Sequence, residues 1–285
     1  MNTFSIIVAY NPNLKAIKLM VAQLLEGKIT PVIVNNSSHA LPQDIGCKVI
    51  ELGDNLGIAK AQNVGLEFVK RENGYAVIFF DQDSVINQPL LETLLKPIVN
   101  GEAEMTAPVF YDEKQGFFYK IISIDAVGRT HKHTLDHISD KFETNVVISS
   151  GHTVKLSVFE TVGDMADDFF IDYVDTEWCL RAASFGYRTR ICKEAIMQHS
   201  IGDKVINLGH FKAPVHSPYR RYYRIRNAFL LLRKKHIPKR MACREVIYAL
   251  LHHMVLICCC TEKMNYIKYL LLGIWHGIRG RSGKL

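Results

Sequence analysis

Tyr75-Ala-Val-Ile-Phe-Phe-Asp-Gln-Asp-Ser84 decides the fold. Its apolar residues run without a polar break and then stop at two acids one residue apart. A short, uninterrupted apolar run bounded by turn-forming residues predicts a strand buried on both faces, as in a parallel sheet. Residues i and i+2 lie on the same side of an extended backbone, so Asp81 and Asp83 point together. Two carboxylates so placed can share a hard cation such as Mg²⁺ or Mn²⁺, and that cation can hold a diphosphate. Acids after a strand also cap helices and shape turns, so the pair alone leaves both readings open.

Outward from this segment the pattern alternates. Phe4–Tyr10 is a β-branched-rich run stopped by Asn11-Pro12 and predicts the first strand. Leu14, Ile17, Met20, Val21 and Leu24 recur at helical spacing and predict a helix over residues 14–25. Pro31–Asn35 and Cys47–Leu52 read as two more strands, and Ile58–Lys70 as a second helix. Strands alternating with helices over short connections predict a mostly parallel, doubly wound α/β sheet. Such sheets bind ligands beyond the carboxyl ends of their strands, where Asn35-Asn36-Ser37 and Asp81-Gln82-Asp83 both fall. Downstream, residues 106–147 break into short strand-like pieces. Asp172–Ser184 predicts a helix stopped by Gly186, and Tyr219–Lys235 and Cys243–Gly277 predict two closing helical stretches separated by Pro238.

Composition narrows the class. A chain of 285 residues that is 48% hydrophobic and 22% charged has the make-up of a globular protein and is long enough for one full α/β core with an appendage. We divide it into residues 1–210, an α/β body, and 211–285, a basic helical extension. From residue 210 onward there are sixteen Lys and Arg against two acids, whereas the rest carries nineteen bases and twenty-six acids. An acidic body with a basic end suggests that the end faces a polyanion. Seven cysteines with no CxxC pair fit a reducing compartment and argue against a zinc module. No basic, apolar leader opens the chain, and no run of eighteen apolar residues predicts a membrane span. The absence of a P-loop or GxGxxG leaves kinase and dehydrogenase readings unsupported. A nucleic-acid-binding reading of the basic end finds no recognisable motif.

The chain resembles the family 2 glycosyltransferases, particularly bacterial rhamnosyltransferases that build surface polysaccharides. The matching pieces run in order along nearly the whole length. They are Ile6-Ile7-Val8-Ala9-Tyr10, Val34-Asn35-Asn36-Ser37, Asn55-Leu-Gly-Ile-Ala-Lys-Ala-Gln-Asn-Val-Gly65 and Asp81-Gln-Asp-Ser84. Ser150-Gly151, Phe169–Arg181, His199 with Gly202, and Tyr222–Asn227 follow.

The resemblance implies a GT-A fold, a Rossmann-like nucleotide-sugar-binding sheet, and an inverting displacement with a divalent metal, Mg or Mn, as cofactor. It implies that Ala9, Tyr10, Asn35, Asn55, Gly57, Asn63, Asp81 and Gln82 line the donor site, and that Asp81, Asp83 and His199 hold the metal. Asn35 stands where the family usually has Asp. Its carbonyl can accept from a pyrimidine N3–H without charge assistance, or the residue can simply shape a turn. Asp175 matches the family's general base, while Val174 replaces the acid that commonly precedes it. Gly151, Asp172, Tyr222 and Arg226 fall on the acceptor side. The implied donor is dTDP-β-L-rhamnose and the implied acceptor a lipid-linked or lipopolysaccharide saccharide, with a UDP-hexose donor as the alternative.

The apolar stripe Val246, Ile247, Leu250, Leu251, Met254, Val255, and the second group Leu270, Leu271, Ile274, Trp275, stand among Lys268, Arg279, Arg281 and Lys284. This pattern predicts a peripheral anchor on the anionic cytoplasmic leaflet of a bacterial membrane, with packing on the body or in a homo-oligomer as the competing use.

Overall fold

The computed structural model describes residues 1–198, 205–208 and 211–285. The elements are β1 (Thr3–Ala9), α1 (Leu14–Glu26), β2 (Thr30–Asn35), β3 (Lys48–Glu51), α2 (Ile58–Arg71), β4 (Ala76–Asp81), α3 (Gln88–Val99) and β5 (Met105–Asp112). Next come β6 (Phe117–Phe118), β7 (Ile121–Ile124), β8 (Thr130–His133), β9 (Glu143–Thr144), β10 (Thr153–Lys155), α4 (Leu156–Val162), α5 (Val174–Ser184) and β11 (Thr189–Gln198). The chain closes with the hairpin β12 (Val205–Leu208) and β13 (Phe211–Pro214), then α6 (Pro218–Leu231), α7 (Lys239–Cys259) and α8 (Lys263–Arg279).

The main sheet runs β3-β2-β1-β4-β10-β5-β11-β9, with β6 on β5. β3, β2, β1 and β4 are mutually parallel, and β1 lies between β2 and β4 (Ile6 opposite Val32 and Phe79). The chain therefore winds one way from β1 to β3 and then crosses to the other side of β1. That reversal opens the crevice where α/β sheets take their ligands. β10 is antiparallel to both β4 and β5, so it divides the parallel half from the β5–β11 half.

Alternation along the strands builds two apolar layers. Ile7, Ile33, Ile78 and Phe80 face α1 and α3; Ile6, Val32, Val34 and Phe79 face the opposite layer, which takes in α2, α4 and α5. Helix α1 shows how local sequence sets an element. Asn13 caps it by accepting from the amides of Lys15 (3.0 Å) and Ala16 (3.3 Å), and Ile17, Met20, Val21 and Leu24 form its buried stripe.

The second layer continues without a break into the closing helices through Ile225, Ala228, Leu231, Met241, Ala242 and Ala249. Helix α8 lies close against α6 because Gly273 and Gly277 have no side chains. A Cβ there would stand 3.1 Å from Ile225 and 2.8 Å from Phe229. The single helix expected over Cys243–Gly277 is two, broken at extended Cys260 (φ −96°, ψ 157°). Consecutive Cys and Thr, both weak helix formers, occupy the break. Among the described residues one helix, α7, is long and apolar enough to cross a membrane by length and composition (21 residues, mean hydropathy 1.4). Met241, Ala242, Ala249, His253 and Leu256 hold it to the body.

Candidate active site

Asp81 ends β4 and is half-buried, whereas Asp83, in the turn that follows, is exposed. The Asp81 carboxyl is pushed up to about 6, first by burial and then by the negative charges of Asp83 and Asp175; the charge of Arg220 opposes this. The acid that closes β4 and the acid at the start of α5 thus share one electrostatic field. Among the described residues no group of three or more His, Cys, Asp or Glu side chains converges as metal ligands do. His199, expected as the third ligand, lies outside the described residues. Two carboxylates with surplus negative charge still fit a Mg²⁺-type ion, which takes one or two protein carboxylates and fills its shell with substrate phosphate and water.

A set of small polar residues links the acids. Ser84 Oγ and Ser150 Oγ are 2.7 Å apart. Gln62 donates to Ser149 Oγ at 2.6 Å, and the Ser149 amide donates to Asp175 Oδ2 at 3.2 Å. The Thr176 amide donates to Asp175 Oδ1 at 2.9 Å. Burial raises the Asp175 carboxyl above the usual range, and these backbone donors only partly offset it. Gly151 (φ 75°) permits the turn beside them, where a Cβ would meet Pro108 at 2.6 Å and Met197 at 2.7 Å.

The donor side is framed by the ends of β1, β2 and β4. Gln82 Oε1 accepts from the Tyr10 amide at 2.6 Å, which ties the β4 turn to β1. Ala9 is buried and its carbonyl accepts from the Asn36 amide, while the Tyr10 side chain stands exposed. Asn55 Oδ1 accepts from Asn36 Nδ2 (3.1 Å) and from the Gly57 amide (3.0 Å).

Several residues expected to touch ligands are instead engaged with the protein. Asn35 is fully buried: it donates to the His39 carbonyl (2.7 Å) and to Glu51 (2.5 Å) and accepts from the Ser37 amide (3.2 Å), so it builds the turn. Asn63 donates to the Met165 carbonyl and accepts from its amide, both at 2.9 Å. Gly57 (φ 91°) makes room for Phe170, since a Cβ there would stand 2.6 Å from the Phe170 ring. Tyr222 and Arg226 are wholly buried. Tyr222 is hydrogen-bonded to His276 (2.7 Å), and Arg226 donates to the carbonyls of Gly283, Phe169 and Asp168.

Helix α5 starts at Val174, two residues later than its sequence pattern predicts, because Asp172 (φ 63°) and Tyr173 (φ 65°) are left-handed. Asp172 is paired with Arg220 at 3.4 Å. Arg220 carries no sequence signal that separates it from the other arginines of its run. Arg224 instead stacks on Tyr173 (3.9 Å to the ring centre) and pairs with Glu245. Ser149 also escaped notice, having no sequence signal beyond its place beside Ser150-Gly151.

The profile of Glycosyl transferase family 2 matches residues 5–163, from β1 through the switch point and Asp81/Asp83 to the end of α4. The chain belongs to that family. Its similarity to one curated relative runs almost end to end: it is 40% identical to the dTDP-rhamnosyl transferase RfbF of Shigella flexneri, over 99% of this chain and 97% of that one. It is 25% identical to the low-salt glycan biosynthesis hexosyltransferase Agl10 of Haloferax volcanii, over 89% and 83% of the two chains. Among solved structures, S. aureus TarS 1-349 in complex with UDP-GlcNAc matches with a TM-score of 0.53 at 15% identity, covering 98% of this chain and 81% of that one. That likeness is one of fold. The family 2 membership makes the protein a glycosyltransferase, and the expected GT-A-like α/β sheet with closing helices is the architecture present.

Proposed function

We propose that the protein transfers L-rhamnose from dTDP-β-L-rhamnose, with inversion at C1, to a lipid-linked or lipopolysaccharide saccharide in cell-surface polysaccharide assembly. The observation that carries the donor assignment is the 40% identity sustained over 99% of the chain with a relative named for that donor. In this reading Asp175 takes the proton of the acceptor hydroxyl as its oxygen bonds to C1. The C1–oxygen bond to the diphosphate breaks, and the nucleoside diphosphate leaves with the electron pair. A half-buried carboxylate with a raised proton affinity is suited to that transfer, and its backbone hydrogen bonds keep it aimed. Asp81 and Asp83, with His199 as a further ligand, would hold a divalent ion, which would supply positive charge to the leaving diphosphate. Arg220, whose charge acts on Asp81, adds positive potential on the same side.

Incubation with a panel of nucleotide sugars tests the donor. Release of dTDP from dTDP-β-L-rhamnose should exceed release from UDP-hexoses by at least about tenfold, the discrimination that even one missing contact supplies. Faster turnover of a UDP-hexose would transfer the same mechanism to the other donor.

We further propose that the enzyme works at the cytoplasmic face of the membrane. Ile247, Tyr248, Leu251 and Met254 of α7 and Leu271, Trp275 and Ile278 of α8 are exposed, while neighbouring positions are buried against the body. Lys268 and Arg279 both stand on α8, and Arg279 lies over the Trp275 ring at 4.5 Å. Apolar side chains bordered by cations suit an anionic leaflet. Leu251→Glu combined with Trp275→Glu should abolish flotation with phosphatidylglycerol vesicles and leave dTDP binding intact. Unchanged flotation with a shift in oligomeric mass would place a second subunit on this face instead.

A further inference from the structure

The segment between Phe169 and the start of α5 is strained. Phe170, Asp172 and Tyr173 all have positive φ (65°, 63° and 65°), and none is glycine. Each such residue is held against its own preference, and strain of this kind persists only where surrounding contacts over-determine it. Local turns and the Ile58 amide hold part of it, and helix α6 supplies the side-chain contacts to its carbonyls. Asn227 Nδ2 of α6 lies within hydrogen-bond distance of three carbonyls of the segment, those of Phe169 (2.9 Å), Ile171 (2.7 Å) and Asp172 (3.1 Å), and its two N–H groups are shared among them. Arg226 donates to the Phe169 and Asp168 carbonyls beside it and, through Nε, to Asn227 Oδ1 at 2.9 Å. This last bond fixes the amide so that its nitrogen faces the segment. Both side chains are fully buried. Phe170 is stacked on Tyr223 of the same helix, with ring centres 4.6 Å apart and planes 16° apart.

We propose that Asn227, oriented by Arg226, is a positioning residue for the reaction: it holds residues 169–173 in the strained path that sets Asp172 and Asp175 toward the sugar site. This rests on the reading of Asp175 as the base. Asp175 lies two residues beyond Tyr173, so any rotation of the left-handed pair swings the first turn of α5. Gly57 and Phe170 carry the same constraint to the donor side, since the Ile58 amide donates to the Phe170 carbonyl at 2.8 Å. The basic closing helices thereby form part of the catalytic apparatus as well as its proposed attachment.

The test is Asn227→Ala in the full chain, with Asn227→Ser, which keeps one donor, as the second variant should the first not fold. Three quantities are measured: hydrolysis of dTDP-β-L-rhamnose, calorimetric affinity for dTDP with Mn²⁺, and amide hydrogen exchange. We expect turnover to fall by about 100-fold, the cost of misplacing a catalytic group by about an ångström. Affinity for dTDP should stay within about threefold of native, and exchange should accelerate at residues 170–175 while β1, β2 and β4 keep their protection. Turnover within threefold of native, or unchanged exchange at 170–175, overturns the proposal. So does a joint loss of turnover, affinity and protection throughout the sheet, which marks a residue needed only for folding. A native enzyme inert toward every nucleotide sugar would refute the donor reading, and the exchange measurement would still judge the clamp.

Discussion

Asp175→Asn should bind dTDP and Mn²⁺ with near-native affinity and lose about 10²–10⁴-fold in turnover, the range a positioned general base supplies. Asn is isosteric, but with one acceptor oxygen it can accept from only one of the Ser149 and Thr176 amides that donate to the two oxygens of Asp175, so a small loss of stability accompanies the change. What disappears is the capacity to take a proton. The same assignment fixes a pH dependence. Burial raises the Asp175 carboxyl, so the deprotonated base forms at a higher pH than an ordinary carboxylate would require. The acid limb of kcat/KM should therefore have its midpoint above about pH 4, with activity rising as pH rises through it. Near-native turnover in Asp175→Asn would move the base to another acid, with Asp172 the first to test.

The second large effect separates function from stability. Asp81→Asn should weaken Mn²⁺-dependent dTDP binding by about 100-fold or more, because loss of a direct ligand costs at least what loss of its supporting contacts does. The same substitution should stabilise the metal-free protein at neutral pH. A carboxyl held near 6 instead of 3.8 gives up its proton less readily in the fold than in the unfolded chain. Stability from this group is therefore full below about pH 4 and is lost as pH rises toward 6. The ionised form costs the fold about 2–3 kcal/mol at pH 7. Removing the charge should raise Tm by about 5 °C at pH 7.5 and leave it unchanged at pH 4. A metal-free variant that melts below the native protein at pH 7.5 would show that Asp81 is not crowded by Asp83 and Asp175.

The parallel half of the sheet was legible in the sequence because its signals are local. Phe4–Ala9, Pro31–Asn35 and Ala76–Phe80 are apolar runs, each closed by a polar turn, and the intervening helices carry stripes at 3.6-residue spacing. Asp81 and Asp83 could be placed because they terminate such a run. β10 was not legible: three residues leading directly into α4 carry no pattern, and only the gap between β4 and β5 gives them a strand's geometry. The late start of α5 escaped for a related reason. Phe170, Asp172 and Tyr173 have no local preference for positive φ, and the side chains that hold their segment lie more than fifty positions downstream on α6. Alternating Tyr and Arg in that helix resembled a ligand-facing surface. Burial of Tyr222 and Arg226 is set by the packing of α8 and by backbone carbonyls that a single sequence does not reveal.

The antiparallel insertion of β10 has a consequence for biosynthesis. Everything needed for β3-β2-β1-β4 is contained in residues 1–81, yet the strand that covers the outer side of β4 begins at Thr153. At ribosomal rates of roughly 5–20 residues per second, that side stays uncovered for about 4–14 s while the intervening stretch is made. A row of unpaired amides and carbonyls on an apolar strand is an adhesive surface for that interval. Slower elongation across residues 82–152 would lengthen the exposure, and overproduction would multiply the nascent chains able to meet along it. Soluble yield should then respond to codon choice in that window more than to codon choice in the closing helices.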